Sequence, residues 1–348
     1  MPTALPQIEL PRLLTVQEIE AACHKSGPPP LDRYFRDAPE LTLEKMFFPL
    51  GFPLRIRTNS PEAMRQCDLR WSHFEQKFET FPIESHIHVV ETGSLECPPE
   101  PQHWFTENLM VMVADGNNFC TGQFPNGQTR MIVATSALAH PLYFSRHFLD
   151  VGPALHLGSR LTTPIHAACV AIDGRGVMLC GDSGAGKTSL AYACARSGWQ
   201  FLSDDSTLLL FGETGRRVIG NCHNVRFRPS AADLFPEIAG KPITPRMSGK
   251  TSIELATESM PYINAIYTAH ADFVVFLNRR EPGFADLRPY RKDVARYYMR
   301  QILFGTSETK AKQYAEIERL LTAELLELRY QSLDWAVERL ERLVREGR

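Results

Sequence analysis

The feature that most constrains this chain is the octapeptide at residues 181–188, which is Gly-Asp-Ser-Gly-Ala-Gly-Lys-Thr. It fits the phosphate-binding loop pattern G-x-x-x-x-G-K-[ST] at every fixed position. Glycines allow successive backbone N–H groups to turn inward around phosphate oxygens. In such a loop the lysine reaches the β and γ phosphates, and the final hydroxyl binds Mg²⁺. We therefore expect Lys187 to bind nucleotide phosphates as an exposed loop side chain, and Thr188 to bind the metal.

The flanking residues supply the strand and the helix that this motif requires. Residues 177–180 form a short apolar run that predicts a strand ending at the loop. Behind the loop, Leu190, Ala193 and Cys194 recur at helical spacing, and Gly198 can cap that helix. The predicted nucleotide-binding residues of the loop and first helical turn are Gly181, Asp182, Ser183, Gly184, Ala185, Gly186, Lys187, Thr188 and Ser189.

Two consecutive acidic residues follow the next apolar run. Residues 199–202 predict a short buried strand, and Asp204 and Asp205 stand at its end. One strand-end carboxylate beside a phosphate loop suits Mg²⁺, and a second can accept a proton from an attacking hydroxyl. Alternatively, the two aspartates are only capping or turn residues, because Asp-Asp-Ser-Thr also favours turns. The nearby loop favours the functional interpretation.

The strand that leads into the loop is predicted to have an antiparallel partner immediately before it. Residues 166–172 predict a strand, and Asp-Gly-Arg-Gly at residues 173–176 predicts a tight turn into the next one. Most sheets of this loop class consist of parallel strands with helical crossovers. The hairpin therefore points away from small GTPases.

The stretch from about His166 to Asp205 resembles the kinase domain of the HPr kinase/phosphorylase family, which are bacterial protein-serine kinases. Phosphoenolpyruvate carboxykinase is a more distant relative of the same fold. The family has a histidine on the first hairpin strand, the loop, a helix that ends in glycine, and an Asp-Asp pair. The matching positions are His166, Gly181, Ser183, Gly184, Gly186, Lys187, Thr188, Gly198, Asp204 and Asp205.

This resemblance implies an α/β phosphate-loop kinase domain with a mixed sheet, which transfers the γ-phosphoryl group of ATP to a hydroxyl in the presence of Mg²⁺. Thr188 and Asp204 would hold the metal, and Lys187 would act on the phosphates. Asp205 would orient or deprotonate the acceptor, and His166 would position the acceptor or tune Asp205. The roles of the two aspartates could be reversed, and His166 could instead be a hydrogen-bonded strand histidine.

Several positions depart from the pattern of the family. Ala167 stands where the family has glycine, and Thr188 and Ser189 stand where it has serine and glutamate. The Gly-rich signature associated with phosphorolysis is not recognisable at residues 221–229, and the N-terminal half does not resemble the family's regulatory domain. We therefore interpret the chain as HPr-kinase-related, with a different substrate, and we expect a one-way kinase.

Positive charges downstream are candidates for contact with the transferring phosphate, which kinases stabilise with cations. Arg226 and Arg228 alternate on a predicted strand, and this would place both on one face. Lys250 follows Ser-Gly in a predicted loop. Arg226 and Lys250 are predicted to bind the nucleotide. The alternative, that each is a solvated cation on the surface, stays open.

The 348-residue chain is long enough for two domains. We predict an N-terminal α+β accessory or recognition domain over residues 1–150 and the phosphate-loop domain over residues 151–348. In the first, a capping box at Thr15 and a helix from Ser60 to about residue 80 precede a largely antiparallel region. In the second, residues 271–277 predict a buried strand, and the chain from Ser307 onward is predicted to be helical.

Composition restricts the function classes. The formal net charge of −2 gives no electrostatic case for nucleic acid or an anionic membrane. No apolar run approaches the roughly 20 residues that span a bilayer, and the first residues lack a secretory signal. The eight cysteines are scattered, which indicates a reducing cytoplasm.

The sequence therefore predicts a cytoplasmic enzyme that uses ATP and Mg²⁺ and phosphorylates a serine of a protein or peptide partner. Two alternatives stay open. One is a kinase of a small hydroxyl compound such as a free amino acid, and the other is a non-kinase nucleotide-binding regulatory protein. A homo-oligomer is also left open.

Overall fold

The computed structural model describes residues 35–124, 126–212, 215–244, 251–279 and 285–347. The chain divides into two compact units. The described part of the first unit lies within residues 35–47, 53–73 and 80–153, and the second consists of residues 48–52, 74–79 and 154 onward. Two short segments of the N-terminal half thus belong to the second unit, which no sequence pattern indicated. The predicted capping box at Thr15 lies outside the described residues.

The first unit is built on a seven-stranded mixed sheet. Its strands are β1 (Leu43–Phe47), β2 (Leu54–Thr58), β3 (Ile83–Val90), β4 (Gln102–Phe105), β5 (Leu109–Asp115), β6 (Asn118–Gln123) and β7 (Gln128–Ala134). The spatial order is β1-β2-β3-β7-β6-β5-β4. The largely antiparallel region predicted from residue 85 onward is confirmed for β4–β5, β5–β6 and β6–β7, whereas β3 and β7 are parallel. Before that region, β1–β2 is antiparallel and β2–β3 is parallel.

The parallel pairing of β2 with β3 follows from the helix between them, α1 (Pro61–Trp71), because parallel neighbours need a crossover. Ser60 caps this helix by accepting a hydrogen bond from Ala63 N at 3.2 Å. The helix ends at Trp71 rather than near residue 80, because the chain then contributes residues 74–79 to the second unit. The following helices are α2 (Thr135–Leu138), α3 (Pro141–Phe144), a π-helical turn (Ser145–Leu149) and α4 (Val151–Arg160).

The second unit contains a ten-stranded mixed sheet and a separate two-stranded ribbon. Its strands are β8 (Thr162–Ile165), β9 (Ala167–Ile172), β10 (Arg175–Cys180), β11 (Gln200–Ser203), β12 (Thr207–Leu210), β13 (Arg217–Gly220), β14 (Asn224–Phe227), β15 (Ile253–Ala256), β16 (Asn264–Ala265), β17 (Thr268–Arg279), β18 (Asp286–Pro289) and β19 (Glu324–Tyr330). Its helices are α5 (Lys187–Arg196), α6 (Lys292–Arg300), α7 (Ser307–Leu320) and α8 (Leu333–Glu346).

The main path of the large sheet is β16-β11-β9-β10-β17-β13-β12-β8, with β19 beside β17 and β18 beside β19. Strand β10 runs antiparallel to β9 and parallel to β17, and β17 runs parallel to β19. Strands β14 and β15 form the antiparallel ribbon. The predicted α/β class with a mixed sheet is confirmed.

The tight turn predicted before the 181–188 loop is present, but it is shorter than the expected residues 173–176, because β10 already begins at Arg175. Asp173 and Gly174 have φ angles of 53° and 75°, and Ile172 pairs with Arg175. Two consecutive left-handed residues define the turn that matches the twist of paired strands. The buried strand β10 is therefore held by β9 on one side and by β17 on the other, and this fixes the position at which the loop begins.

Helices cover both faces of this sheet. Side chains alternate along β10, so its residues pack in turn against the helices on each face. Val177 and Leu179 belong to the core cluster with α5 and α8, whereas Met178 and Cys180 belong to the cluster with α6 and α7. In α8, Val337, Leu340 and Val344 recur at helical spacing and are buried in the first of these clusters. No described helix is long and apolar enough to cross a membrane.

The prediction that the chain is helical from Ser307 onward is wrong for β19. This strand lies between α7 and α8 and pairs in parallel with β17. Its apolar run is too short for periodicity to separate a strand from a helix. The buried Tyr330 ends the strand and lies next to the 181–188 loop.

Candidate functional site

The 181–188 loop connects β10 to α5 in a conformation that requires its glycines. Gly184 and Gly186 have φ angles of 100° and 98°, which side-chain-bearing residues rarely adopt. A Cβ atom at Gly186 would also lie only 2.6 Å from Tyr330 Oη. Helix α5 begins at Lys187, directly after these turns. The free N–H groups of a helix N-terminus and a glycine loop together favour an anion.

Lys187 is buried, with 6% of its surface exposed, so the expectation of an exposed side chain is wrong. Its Nζ donates to Gly181 O at 2.7 Å and to Asp182 O at 3.3 Å, and it lies 3.0 Å from His166 Nε2. Burial lowers the pKa of Lys187, and the Asp205 carboxylate opposes this effect. An ammonium group has three donors, and these three partners match that number.

His166 lies at the junction between β8 and β9, and its ring links the lysine to an acidic side chain. Its Nδ1 is 3.5 Å from Asp205 Oδ1. Because an ammonium group only donates, the Lys187 contact assigns the acceptor role to His166 Nε2 and the ring proton to Nδ1. Lys187, His166 and Asp205 thus form a continuous polar line, and Asp205 is its exposed end, with 59% of the side chain accessible.

Asp204 has a different environment from its neighbour. It is 9% exposed, and its Oδ2 accepts a hydrogen bond from Arg226 N at 2.7 Å. Burial raises the pKa of Asp204 to about 6. Its backbone carbonyl accepts a hydrogen bond of 3.4 Å from Thr188 Oγ1. Asp204 and Thr188 are therefore adjacent, at the point where β11 ends beside the start of α5.

Thr188 and Asp204 are compatible with a Mg²⁺ site of the phosphate-loop type. Such a site takes one hydroxyl and one strand-end carboxylate from the protein, and phosphate oxygens and waters supply the remaining ligands. The described residues contain no group of three His, Cys, Asp or Glu side chains that could hold a metal. The two-ligand arrangement does not require such a group, and the oxygen-only donor set suits Mg²⁺.

The two arginines of the predicted strand have different partners. Arg228 Nη2 donates to Ser183 Oγ of the 181–188 loop at 2.8 Å. Arg226 Nε lies 3.2 Å from Glu254 Oε1, its cross-strand partner on β15. The guanidinium of Arg228, rather than that of Arg226, is therefore beside the loop. Lys250 lies outside the described residues.

The remaining predicted loop residues are distributed around the same turn. Asp182, Ser183 and Gly184 are exposed, and Ala185 is half-buried. Ser189 is half-buried in the first turn of α5. The structure thus gathers the predicted loop, His166 and both aspartates in one place, whereas the side chain of Arg226 faces β15.

Two tyrosines contact the ends of the 181–188 loop and were not predicted from the sequence. Tyr298 Oη, from α6, bonds to both Gly181 and the carbonyl of His166. Tyr330 Oη, from β19, donates to Ala185 O at 3.3 Å. Both tyrosines are distant from the loop in sequence and lie in no recognisable motif, so no local signal could have identified them.

Comparison with known proteins gives limited matches. A family model described as SynChlorMet cassette protein ScmC matches residues 154–235, which include the hairpin, the loop and both aspartates. No curated protein matches the chain. Among solved structures, the HPr(Ser) kinase/phosphatase from Coxiella burnetii is similar with a TM-score of 0.29 and 15% sequence identity. That similarity covers 53% of this chain and 99% of the other.

Proposed function

We propose that this chain is an ATP- and Mg²⁺-dependent kinase that transfers the γ-phosphoryl group to a serine hydroxyl of a protein or peptide. The observation that carries the proposal is the line from Lys187 through His166 to Asp205. At one end of this line, Lys187 stands at the start of a helix, where it can bind phosphate. At the other end, the exposed Asp205 carboxylate can be reached by an incoming hydroxyl. A phosphoryl transferase needs these two functions side by side.

The first half of the mechanism concerns the nucleotide. The backbone N–H groups of the 181–188 loop and the N-terminus of α5 donate to the phosphate oxygens. Lys187 exchanges its bonds to Gly181 O, Asp182 O and His166 Nε2 for bonds to phosphate. Thr188 and Asp204 would hold Mg²⁺, which would supply positive charge against the phosphates. Arg228, already beside Ser183, adds a further positive charge at the outer edge of the loop.

The second half concerns the acceptor. Once Lys187 turns to phosphate, His166 Nε2 no longer accepts its bond, whereas Nδ1 continues to face Asp205. Asp205 then accepts the proton of the serine hydroxyl as that oxygen attacks the γ phosphorus in line with the leaving ADP oxygen. His166 keeps the Asp205 carboxylate in a fixed orientation. The proton that leaves the serine therefore ends on Asp205, and the phosphoryl group ends on the serine oxygen.

The openness of the site supports a large acceptor. Among the described residues, Asp205, Ser206, Ser183 and Gly184 are all exposed. Sites for small molecules are usually concave and bury most of the ligand surface. An exposed carboxylate beside an exposed loop is better suited to a serine carried on a flexible polypeptide segment.

The acceptor class is tested by label transfer. The full chain is incubated with Mg²⁺ and γ-labelled ATP, together with a serine-containing peptide library and a mixture of free hydroxyl amino acids. We expect label in the peptide fraction, and at least about 10²-fold slower labelling with Asp205→Asn, the scale of a lost general base. Label in the amino acids alone would contradict the peptide assignment and favour a small-molecule kinase. ATP that remains intact with every acceptor would contradict the proposed activity.

A further inference from the structure

We propose that Tyr298 is a positioning residue of this site, whose hydroxyl holds the entrance of the 181–188 loop against the backbone of His166. The inference rests on the proposed function, because it assigns Tyr298 a role in placing the groups that bind phosphate and face the acceptor. Tyr298 lies on α6, which carries none of the residues of the loop motif.

The hydrogen bonds of the hydroxyl join two different parts of the site. Tyr298 Oη lies 2.7 Å from His166 O and 2.8 Å from Gly181 O, and it accepts from Gly181 N at 3.0 Å. A phenol has one proton, so at any moment it donates to one of these carbonyls while it accepts from the amide. The same Gly181 carbonyl also accepts from Lys187 Nζ. The Tyr298 hydroxyl therefore contacts both Gly181, the first residue of the loop, and the carbonyl of His166. Its bond to Gly181 O goes to the same oxygen that accepts from Lys187.

The position of the hydroxyl is set by parts of the fold outside the loop. The Tyr298 ring packs edge-on against Phe276, with ring centroids 5.3 Å apart and an angle of 83° between the planes. Phe276 lies on β17 and is the register partner of Cys180, the last residue of β10. Burial raises the pKa of Tyr298, so the hydroxyl keeps its proton and can donate. The ring is thus anchored to the sheet at the point where the loop begins.

Tyr330 provides a comparison at the other end of the loop. Its hydroxyl bonds to Ala185 O and lies 2.6 Å from the position that a Cβ atom of Gly186 would take. Tyr330 therefore supports the exit of the loop, whereas Tyr298 connects the entrance to His166. When Lys187 turns to phosphate and leaves Gly181 O, the bonds from Tyr298 remain to hold the entrance in place.

The test compares Tyr298→Phe with Tyr297→Phe in the full chain. Tyr297 is the next residue along the same helix, but 72% of its surface is exposed, which makes it a matched control. The probe for the loop is inorganic pyrophosphate with Mg²⁺, because it requires neither a base pocket nor an acceptor. Phosphoryl transfer from MgATP to the serine-containing peptide library gives kcat and KM, and thermal unfolding reports the stability of each variant.

We expect Tyr298→Phe to weaken pyrophosphate binding about tenfold, because it removes a hydrogen bond and leaves the Gly181 N–H without its acceptor. We also expect a lower kcat at saturating ATP, because the backbone of His166 loses its support. Hydrogen exchange at the Gly181 amide should accelerate in the same variant. Tyr297→Phe should match the parent chain in all of these measurements.

The outcomes separate this inference from the proposed function. If Lys187→Ala abolishes pyrophosphate binding while Tyr298→Phe binds it and turns over ATP like the parent, the positioning role is wrong and the proposed function stands. A lower melting temperature with unchanged pyrophosphate Kd and kcat would mean a merely structural role and would also overturn the inference. If the parent does not bind pyrophosphate, the proposed function fails, and this inference fails with it.

Discussion

His166 Nδ1 and Asp205 Oδ1 lie 3.5 Å apart, although they come from two separate strand ends. Strands β9 and β11 are antiparallel neighbours, with Val170 opposite Phe201. An antiparallel pair brings the end of one strand to the start of the other, so the residue before β9 meets the residues after β11. The sheet itself therefore assembles the histidine and the acidic pair beside the 181–188 loop.

Asp205→Asn tests the role of this carboxylate. The change keeps the shape of the side chain but removes its charge and its ability to take a proton. We expect ATP binding to persist and phosphoryl transfer to fall by roughly 10²-fold or more. Nucleotide affinity is measured by titration and transfer by γ-labelled ATP. A fully active Asp205→Asn together with an inactive Asp204→Asn would mean that the two aspartates have the reverse roles.

The buried charge of Asp204 makes stability depend on pH. Burial raises its pKa from the ordinary value of 3.8 to about 6, so the folded chain holds this proton more tightly than the unfolded chain does. The contribution of Asp204 to the free energy of unfolding is therefore most favourable below about pH 4 and falls as pH rises to about 6. The loss is about 3 kcal/mol at neutral pH, at about 1.4 kcal/mol for each pKa unit.

Asp204→Asn removes this titration and retains an oxygen that can accept from Arg226 N. With EDTA present and no nucleotide, we expect the variant to be more stable than the parent at pH 7.5 by up to about 3 kcal/mol. The difference should disappear near pH 4. Urea unfolding at both pH values measures it. If the variant is less stable than the parent at pH 7.5, the ionised Asp204 carboxylate does not destabilise the metal-free fold, and the prediction is wrong.

Arg228 and Arg226 form a matched pair of cations two residues apart. Arg228→Ala removes the guanidinium that bonds to Ser183, and we expect MgATP to bind about fivefold more weakly, equivalent to roughly 1 kcal/mol. Arg226→Ala removes only the pair with Glu254 and keeps the backbone N–H that bonds to Asp204. Its affinity should stay close to that of the parent. Raising the salt concentration should shrink the effect of Arg228→Ala, because exposed charges are screened. If Arg226→Ala weakened MgATP binding more than Arg228→Ala, the placement of the Arg228 guanidinium beside the bound phosphates would be wrong.

The parts of the site that sequence predicted are those with local signals. The Asp-Gly turn, the buried strand β10, the glycine loop and α5 are specified by residues close to one another in the chain. Side-chain alternation predicted that Arg226 and Arg228 would share one strand face, but β14 ends at Phe227, so Arg228 lies just beyond the strand. Alternation could not show which one reaches the loop, because Glu254 on β15 comes from a distant segment.

The parts that sequence missed depend on long-range packing. Tyr298 and Tyr330 reach the loop only because α6 and β19 fold back beside β10 and β17. Residues 74–79 were assigned to a helix of the N-terminal half, but they belong to the second unit, where Phe74 packs edge-on against His223 at 4.8 Å. A fragment that begins at Val151 would lack these residues, so the proposed experiments use the full chain.

The binding of nucleotide phosphates at residues 181–188 is tested by comparing the parent chain with Lys187→Ala. Both are given MgATP and the serine-containing peptide library, and ADP formation is measured alongside pyrophosphate affinity. We expect the parent to bind pyrophosphate and to form ADP as it phosphorylates the peptides. Lys187→Ala should do neither at a detectable level. It should still fold, because no core apolar group is lost, but with a lower unfolding temperature, because the three partners of the buried ammonium lose their hydrogen bonds. Equal pyrophosphate affinity and equal ADP formation in the two proteins would contradict the claim that nucleotide phosphates bind at residues 181–188.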